Sequence, residues 1–465
     1  MEQREQFKQF FQLCSVIESR FEARWKSCNE FEKEQILARE KGAIIGNQED
    51  ISHYKEIIQE MLSEIPMERK VICPPWYGSL VEGIFAELYG LAGLEPWAYD
   101  RTEKYKESSS AKLIGDRLYC LIDGVSTLQP QKIGRKRREQ LKRALLMATP
   151  KERIETGFHE VYLRNGIRIT IYSGERTKDG QDIMIFRKYI LRELTFEKLA
   201  DLGTIPPDSV ELFKVMVKIG FNVLFAGQVR SGKTTFMQVW QRYEDSGLEG
   251  LAVATDPETP WHIIMPHAPI MQIVADNREL QQLYKSLLRG DNDYILLEEM
   301  RDADAYRLAL EITSAGTMRS KATIHAGDPQ DIPYKMATSV ISAYGGDFRG
   351  IISQIFRNFN YVFEFYQLPE DKSRKRLKSI SEFRYDITSD VISIHKICIF
   401  DEEEGRWLWK CDIGEDKRKM GKLYPEEFKR MEEMLRMLEK RNPAMGNTVI
   451  YPRYYDSMGV HKDVR

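Results

Sequence analysis

The sequence predicts an α/β protein in which a domain with a parallel sheet is preceded by a smaller α+β domain and by an N-terminal helical extension. Apolar residues recur at helical spacing in the N-terminal part, and polar turns separate β-like runs in the next part. Further on, apolar runs alternate with helical stretches, as in parallel sheets covered by helices. We expect the helical extension at 1–110, the α+β domain at 111–190, a linker at 191–207 and the parallel-sheet domain at 208–465.

Composition and charge exclude several classes of protein. With 465 residues the chain is long enough for about three domains. The formal net charge of −2 provides no field that attracts nucleic acid, and no direct nucleic-acid binding is expected. The six cysteines form no CxxC pair, which argues against a zinc module and a disulfide framework. The charged N-terminus and the lack of a long apolar run predict a cytoplasmic protein that associates with membranes only peripherally, through partners.

Two helices are predicted in the N-terminal extension, and a third, basic helix in the α+β domain. Apolar residues at helical spacing mark helices within 7–17 and 51–62, which we interpret as packing elements, with partner recognition as an alternative. Gln131–Met147 is the basic helix. We interpret its run Arg135–Arg138 as a solvated face, and docking of acidic lipid headgroups or an acidic partner remains the alternative.

The β-like runs fall into two groups. Leu118–Ile122, Ile167–Tyr172 and Ile183–Phe186 are assigned to the α+β domain, and Gly203 with the Pro206-Pro207 pair marks the linker. The predicted strands beyond the linker are Asn222–Ala226, Leu251–Ala254, Tyr294–Leu297, Ala322–Ile324, Tyr361–Tyr366, Val391–Phe400 and Trp407–Cys411, followed by a helix at Pro425–Lys440.

A complete phosphate-binding motif begins at Gly227. It reads Gly227-x4-Gly232-Lys233-Thr234, after the apolar run Val223–Ala226 and before a helical stretch. In such a loop glycines let backbone N–H groups face phosphates, lysine reaches the β- and γ-phosphates, and the threonine hydroxyl binds Mg²⁺. We therefore predict ATP and Mg²⁺ as ligands, with Thr234 on the metal. The predicted nucleotide-binding residues are Gly227, Gln228, Val229, Arg230, Ser231, Gly232, Lys233, Thr234 and Thr235.

Hydrolysis of ATP also needs a carboxylate at the end of a neighbouring strand, to orient or deprotonate water. The run Tyr294–Leu297 leads directly into Glu298 and Glu299. Because successive side chains of a strand point to opposite faces, only one of the two glutamates is expected to face the nucleotide.

Four motifs then occur in a fixed order. This order resembles that of the traffic ATPases of bacterial type II and type IV secretion, type IV and tight-adherence pili and conjugation, in which a Walker A loop is followed by an Asp box, a Walker B glutamate and a His box. The resemblance extends from about residue 110 to 410. The four motifs are Gly227–Thr234, Thr255–Glu258, Leu297–Glu299 and Thr323–Ala326.

The resemblance implies roles for individual residues. Glu299 matches the Walker B catalytic glutamate, and His325 matches the histidine that senses or contacts the nucleotide. Lys233 joins them as a catalytic residue on the phosphates. Asp256 and Glu258 lie in the Asp box, where a carboxylate helps hold Mg²⁺ and water. Asp256 is the expected metal ligand and Glu258 a catalytic residue, and which of the two acts stays open.

Two arginines of the α+β domain are implied as further catalytic residues. Phe186–Lys188 resembles the motif that closes the family's N-terminal domain. By the same resemblance, Arg168 and Arg187 would reach the phosphates across a cleft between the domains.

The chain departs from the family pattern at two positions. Glu298 stands where the family usually has glycine, and it is expected to face away from the phosphates or to pair with a cation, because a desolvated carboxylate beside phosphates is costly. Thr255 stands where an acidic residue is common. The lack of a four-cysteine zinc module favours the shorter branch of the family, near the conjugation and tight-adherence ATPases.

The resemblance thus implies a RecA-like P-loop NTPase domain and an ATP-hydrolysing motor. It also implies a homohexameric ring that transmits domain motion to an inner-membrane platform protein. Two alternatives remain open: a RecA-like motor stimulated by nucleic acid, and an ATP-binding regulatory subunit with low turnover.

Overall fold

The computed structural model divides the chain into two compact units, residues 1–192 and 193–465. The described residues are 7–66, 71–148, 157–178, 181–190, 193–254, 259–275, 280, 287 and 290–453.

Helices at the start of the first unit build a core of their own. Phe10, Ile17, Tyr54, Ile58 and Phe85 are buried in it, as their helical spacing predicts. Asn29 begins one helix with a capping box in which its side chain and that of Glu32 each bond the other's backbone. The helices of this unit are α1 (Lys8–Ser27), α2 (Glu30–Ile45), α3 (Gln48–Ser63), α4 (Leu80–Leu88), α5 (Glu95–Ala98), α6 (Glu103–Lys106) and α7 (Arg135–Ala148).

The first unit also contains a six-stranded antiparallel sheet with the order β3-β2-β1-β6-β5-β4. Apolar residues of α7, Leu141 and Leu145 among them, share a core with this sheet. The sequence predicted β2, β5 and β6. It missed the other three strands, because their many polar residues obscure the alternation of apolar and polar positions that predicts a strand. The strands are β1 (Ser110–Ile114), β2 (Arg117–Ile122), β3 (Val125–Lys132), β4 (Phe158–Tyr162), β5 (Arg168–Tyr172) and β6 (Ile183–Arg187).

The basic helix α7 is only partly solvated, so the interpretation of Arg135–Arg138 as a solvated face is wrong for two of its residues. Arg137 is buried and donates to the carbonyl oxygen of Gly90, and burial lowers its pKa against the pull of nearby carboxylates. Arg138 is buried and donates to the Ile133 carbonyl at 2.8 Å. Each guanidinium group thus has a backbone carbonyl acceptor in its buried position, although the Nε atoms of both arginines are buried without a hydrogen-bond partner among the described residues.

The segment predicted as a linker is structured where it is described. Residues 196–201 form helix α8 (Phe196–Asp201), with the Thr195 hydroxyl as its N-cap acceptor. Phe196 and Leu199 are buried in the core of the second unit. Gly203, Pro206 and Pro207 follow this helix. The segment packs on the second unit because it contains the apolar residues Phe196 and Leu199.

The second unit is built on one mixed sheet with the order β15-β14-β13-β12-β7-β11-β10-β8-β9, and β16 pairs with β14. Strands β12 to β9 along this order are parallel, and β13, β14 and β15 are added antiparallel. The strands are β7 (Val223–Gly227), β8 (Gly250–Ala254), β9 (Ile270–Val274), β10 (Tyr294–Met300), β11 (Lys321–Ile324), β12 (Tyr361–Gln367), β13 (Lys375–Asp386), β14 (Val391–Asp401), β15 (Arg406–Trp409) and β16 (Val449–Ile450).

Both faces of the parallel region are buried, as the alternation of strands and helices predicts. In β7, Val223 and Phe225 join one core, while Leu224 and Ala226 join the core on the other face. The helices of this unit after α8 are α9 (Val210–Ile219), α10 (Lys233–Arg242), α11 (Trp261–Ile264), α12 (Ala303–Ser314), α13 (Ile332–Tyr344), α14 (Phe348–Asn358), α15 (Glu415–Gly421) and α16 (Pro425–Arg441). Within the described ranges, no helix of either unit has the length and apolar character needed to cross a bilayer.

Candidate nucleotide-binding site

The predicted phosphate-binding motif forms a strand–loop–helix unit. Strand β7 ends at Gly227, and Gly232 is the N-cap of α10, whose first residue is Lys233. Gly227 has φ +147°, and a Cβ there would lie 2.1 Å from the carbonyl oxygen of Phe365 on β12. No side chain fits at that position. Gly232 has φ +93°, a left-handed conformation that glycine adopts readily.

The residues of the loop fit a bound phosphate group. Gln228, Val229 and Arg230 are exposed at its tip, and Thr234 and Thr235 are half-buried in the first turn of α10. The Ser231 hydroxyl is buried and has no hydrogen-bond partner among the described residues. A buried polar atom in this state favours a ligand that completes its hydrogen bonding. The N-terminus of α10 adds backbone N–H groups and the positive end of its dipole.

Three predicted site residues, drawn from three elements, form a continuous chain of contacts. The buried Lys233 donates through Nζ to the Gln228 carbonyl at 2.8 Å, and the same Nζ lies 3.3 Å from Nδ1 of His325. Nε2 of His325 is 2.6 Å from Oε1 of Glu299. Because an ammonium group only donates, Nδ1 accepts and Nε2 carries the proton that is donated to the carboxylate. The Walker A, Walker B and His-box residues therefore meet at the carboxyl ends of β7, β10 and β11.

Glu299 has an unusual backbone conformation at the end of β10. Its φ is +63°, and the register between β10 and β11 shifts at this point. Its amide donates to Oγ1 of Thr323 at 2.8 Å, and its carboxylate accepts from His325 and Arg301. Burial acts to raise the pKa of Glu299, but the bonds and charges of Arg301 and His325 outweigh burial and lower it. The carboxylate is therefore held ionised, and a bulge directs it into the site.

Glu298 has different hydrogen-bond partners from Glu299. Its carboxylate is buried and accepts from the Trp261 indole at 2.7 Å and from the Thr259 amide at 3.2 Å. The departure from glycine is thus accommodated by two neutral donors, which hold the Glu298 carboxylate in a buried position.

The structure describes two of the remaining predicted catalytic residues. Arg168 and Arg187 lie in the first unit, paired opposite each other in the register of β5 and β6. Arg168 forms an ion pair with Glu160 at 2.5 Å, and Arg187 is exposed. Asp256 and Glu258, with the rest of the Asp box, lie outside the described residues.

Sequence reasoning missed several residues that support the cluster. Arg301 follows the Walker B glutamate by two residues, just beyond the end of β10, and contacts its carboxylate. Thr323, which positions the Glu299 backbone, precedes His325 by two residues and so projects to the same face of the sheet. The Lys335 ammonium donates to the His325 carbonyl at 2.5 Å. Thr323 lies within the His box and Arg301 close behind the Walker B motif, while nothing in the sequence marks Lys335.

The strand order and this loop define a RecA-like P-loop NTPase domain. Residues 178–362 match the family model described as type II/IV secretion system protein. This similarity confirms the resemblance drawn from the four motifs.

Individual relatives are distant. An uncharacterized protein of Bacillus anthracis is 23% identical over 220 residues, 46% of this chain and 47% of the relative, so the match spans about half of that protein. An uncharacterized protein of Methanocaldococcus jannaschii is 23% identical over 208 residues, 43% of this chain and 73% of the relative. The solved structure of the Yersinia pseudotuberculosis ATPase DotB is similar with a TM-score of 0.45 and 17% identity, over 81% of this chain and 90% of that one.

Proposed function

We propose that this protein hydrolyses ATP and acts as the motor of a bacterial secretion, pilus-assembly or conjugative transfer machine. The observation that carries the proposal is the contact chain from Lys233 through His325 to Glu299, set beside a loop shaped for phosphate. The family match of the surrounding segment supports the type of machine.

The contacts of Lys233 suggest how nucleotide is sensed. Lys233 donates to the Gln228 carbonyl and contacts His325, and both contacts occupy the ammonium group that would bind the β- and γ-phosphates. Binding of ATP therefore competes with His325 for this ammonium. A released His325 changes its contact with Glu299, so occupancy of the loop is transmitted to the catalytic carboxylate through one side chain.

The electrostatics of Glu299 favour orienting water over removing its proton outright. Its lowered pKa makes it a weak base, and a weak base in a fixed position stabilises the attacking water mainly by accepting its hydrogen bond. The Thr234 hydroxyl and an Asp-box carboxylate, Asp256 or Glu258, would hold Mg²⁺. When bound, Mg²⁺ would neutralise charge on the β- and γ-phosphate oxygens.

The remaining parts of the proposal concern assembly. Arg168 and Arg187 would approach the phosphates when ATP binds, and loss of the γ-phosphate would release them. A homohexameric ring would couple these motions and pass them to an inner-membrane platform protein, which would also account for peripheral membrane association. A low-turnover regulatory subunit is the weaker alternative, because Glu299 is held ionised in contact with His325. Stimulation by single-stranded nucleic acid that high salt abolishes would favour the other alternative.

Steady-state ATPase activity of four proteins tests the proposal. Lys233→Ala is expected to lose nucleotide binding, since it removes the cation in the loop. Glu299→Gln is expected to bind ATP but to turn over at least ~100-fold more slowly, a typical loss for a catalytic acid or base. Glu311→Gln, an exposed glutamate on α12, is the matched control and should equal wild type.

Ring formation is measured on the same samples by light scattering after size-exclusion chromatography. Equal turnover of wild type and Glu299→Gln would overturn the role of Glu299. ATP binding without turnover in wild type would favour the regulatory subunit, and a monomer with full activity would contradict the ring.

A further inference from the structure

The hairpin formed by β12 and β13 lies directly beside the phosphate-binding loop. Phe365 of β12 pairs with Gly227, and β13 begins at Lys375, which pairs with Gln367 two residues further along β12. Lys375 therefore lies just beyond the end of β7, where the phosphate-binding loop starts. The sequence 372–378 is strongly basic, with Lys372, Arg374, Lys375, Arg376 and Lys378.

The stem of Lys375 lies against Gly232. A Cβ on Gly232 would be 3.3 Å from Cγ and 3.4 Å from Cβ of Lys375, so the lysine passes within van der Waals range of the glycine that caps α10. Lys375 is half-buried, and its ammonium donates to the Lys372 carbonyl on the hairpin turn. Arg376, the next residue, stacks on Phe400 instead, with its guanidinium 4.4 Å from the ring centroid.

We propose that Lys375 is a second phosphate-binding cation of this site, which contacts the phosphates that are not transferred. The inference rests on the proposed function. In a loop of this kind the backbone around the second glycine cradles the α- and β-phosphates, and the motif lysine reaches the β- and γ-phosphates. A cation above Gly232 meets the α- and β-phosphates once its terminal methylene groups rotate away from the Lys372 carbonyl. The buried Ser231 hydroxyl, which has no hydrogen-bond partner in the part of the chain that the structure describes, lies in the same stretch of loop.

This placement predicts a specific kinetic signature. The α- and β-phosphates are present in both ATP and ADP, so Lys375 stabilises substrate, transition state and product alike. Its loss weakens binding of both nucleotides without slowing the chemical step. Lys233 and Glu299, by contrast, act on the γ-phosphate end.

The test compares Lys375→Met with wild type in the full-length chain. Methionine keeps an unbranched stem against Gly232 and removes only the charge. Affinities for MgADP and for a non-hydrolysable MgATP analogue are measured with fluorescent nucleotides, together with kcat and KM. We expect the dissociation constants of both nucleotides to rise by about tenfold, as for loss of one charge-assisted contact, with kcat within about twofold. Lys375→Arg should restore most of the affinity.

The control is Lys422→Met, the same substitution at an exposed lysine after α15, which should match wild type. Unchanged affinity of Lys375→Met while wild type binds nucleotide would overturn this inference and leave the proposed function standing. A fall in kcat with unchanged affinity would also overturn it, because Lys375 would then act on the chemical step. Lack of nucleotide binding by folded wild type would overturn the proposed function itself.

Discussion

Strand β11 has a cluster of charged residues at each end, and the two clusters use the same types of side chain differently. At its start, Lys321 and Arg319 both bind the carboxylate of Glu244, at 2.6 Å and 2.5 Å. The side chains of Lys321 and Glu244 are 0% and 1% exposed. Burial lowers the pKa of Lys321, opposed by the Glu244 charge. We call this cluster closed, because its side chains form ion pairs with one another and are shielded from solvent.

At the other end of β11, His325 and Glu299 are 31% and 27% exposed, and Lys233 contacts them from the phosphate-binding loop. The residue types are again lysine, a carboxylate and arginine. The contact of Lys233 with His325 is long, at 3.3 Å, and the site opens toward solvent. The difference teaches that residue types alone do not distinguish a structural ion cluster from a functional one. The two kinds of cluster differ in the solvent accessibility of their side chains and in whether a ligand can replace their partners.

The largest effect is expected from breaking the closed cluster. Glu244→Ala leaves Lys321 buried and charged without its acceptor, which should lower the free energy of unfolding by about 3–5 kcal/mol. Urea denaturation measures the loss, and Glu249→Ala, at an exposed glutamate nearby, is the control. If the two variants were equally stable, Glu244 would not hold this end of the sheet.

An intermediate effect is expected at Glu298. Glu298→Ala leaves the Trp261 indole and the Thr259 amide without their acceptor, at a cost of about 1–3 kcal/mol. Glu299→Gln should cost less than about 1 kcal/mol in stability, because its ion pairs are partly solvated. Two assays therefore distinguish the neighbouring glutamates. Glu298→Ala should mainly lose thermal stability, and Glu299→Gln should mainly lose ATP turnover. A loss of turnover in Glu298→Ala with a loss of stability in Glu299→Gln would contradict the roles assigned to these two side chains.

The smallest effect is a change in pH dependence. The pKa of Glu299 is lowered in the folded protein because Arg301 and His325 outweigh burial, so its ion pairs stabilise the fold above about pH 4.5. This stability is lost as the pH falls through the lowered pKa. Arg301→Ala should raise that pKa and move the acidic limb of kcat/KM to higher pH. Arg349→Ala, which removes a half-buried arginine paired with Asp390, should leave the limb in place. An unmoved limb in Arg301→Ala would show that Arg301 does not set the charge of Glu299.

The features that sequence reasoning found are those encoded in contiguous residues. The loop at Gly227–Thr234, the run that leads into Glu299 and the buried parallel strands all have local patterns, and the structure has them as strand, loop and helix. Helices α1 and α3 were likewise predicted from spacing alone.

The features that it missed depend on pairing between distant segments. Strand β13 was not predicted because six of its twelve residues, including Lys375 at its start, are charged, although Leu377, Ile380 and Phe383 are buried. Its place beside the loop follows from the pairing of Phe365 with Gly227. The left-handed backbone of Glu299 and the burial of Arg137 are likewise set by tertiary contacts.

The central claim is that Lys233 exchanges protein partners for phosphate. A crystal structure with a non-hydrolysable ATP analogue and Mg²⁺ tests it most directly. We predict that the Lys233 ammonium leaves the Gln228 carbonyl and His325 and binds the β- and γ-phosphate oxygens, with the phosphates on the backbone N–H groups of Gly227–Thr234. An analogue bound elsewhere, or Lys233 still bonded to Gln228 and His325 beside a bound analogue, would contradict it.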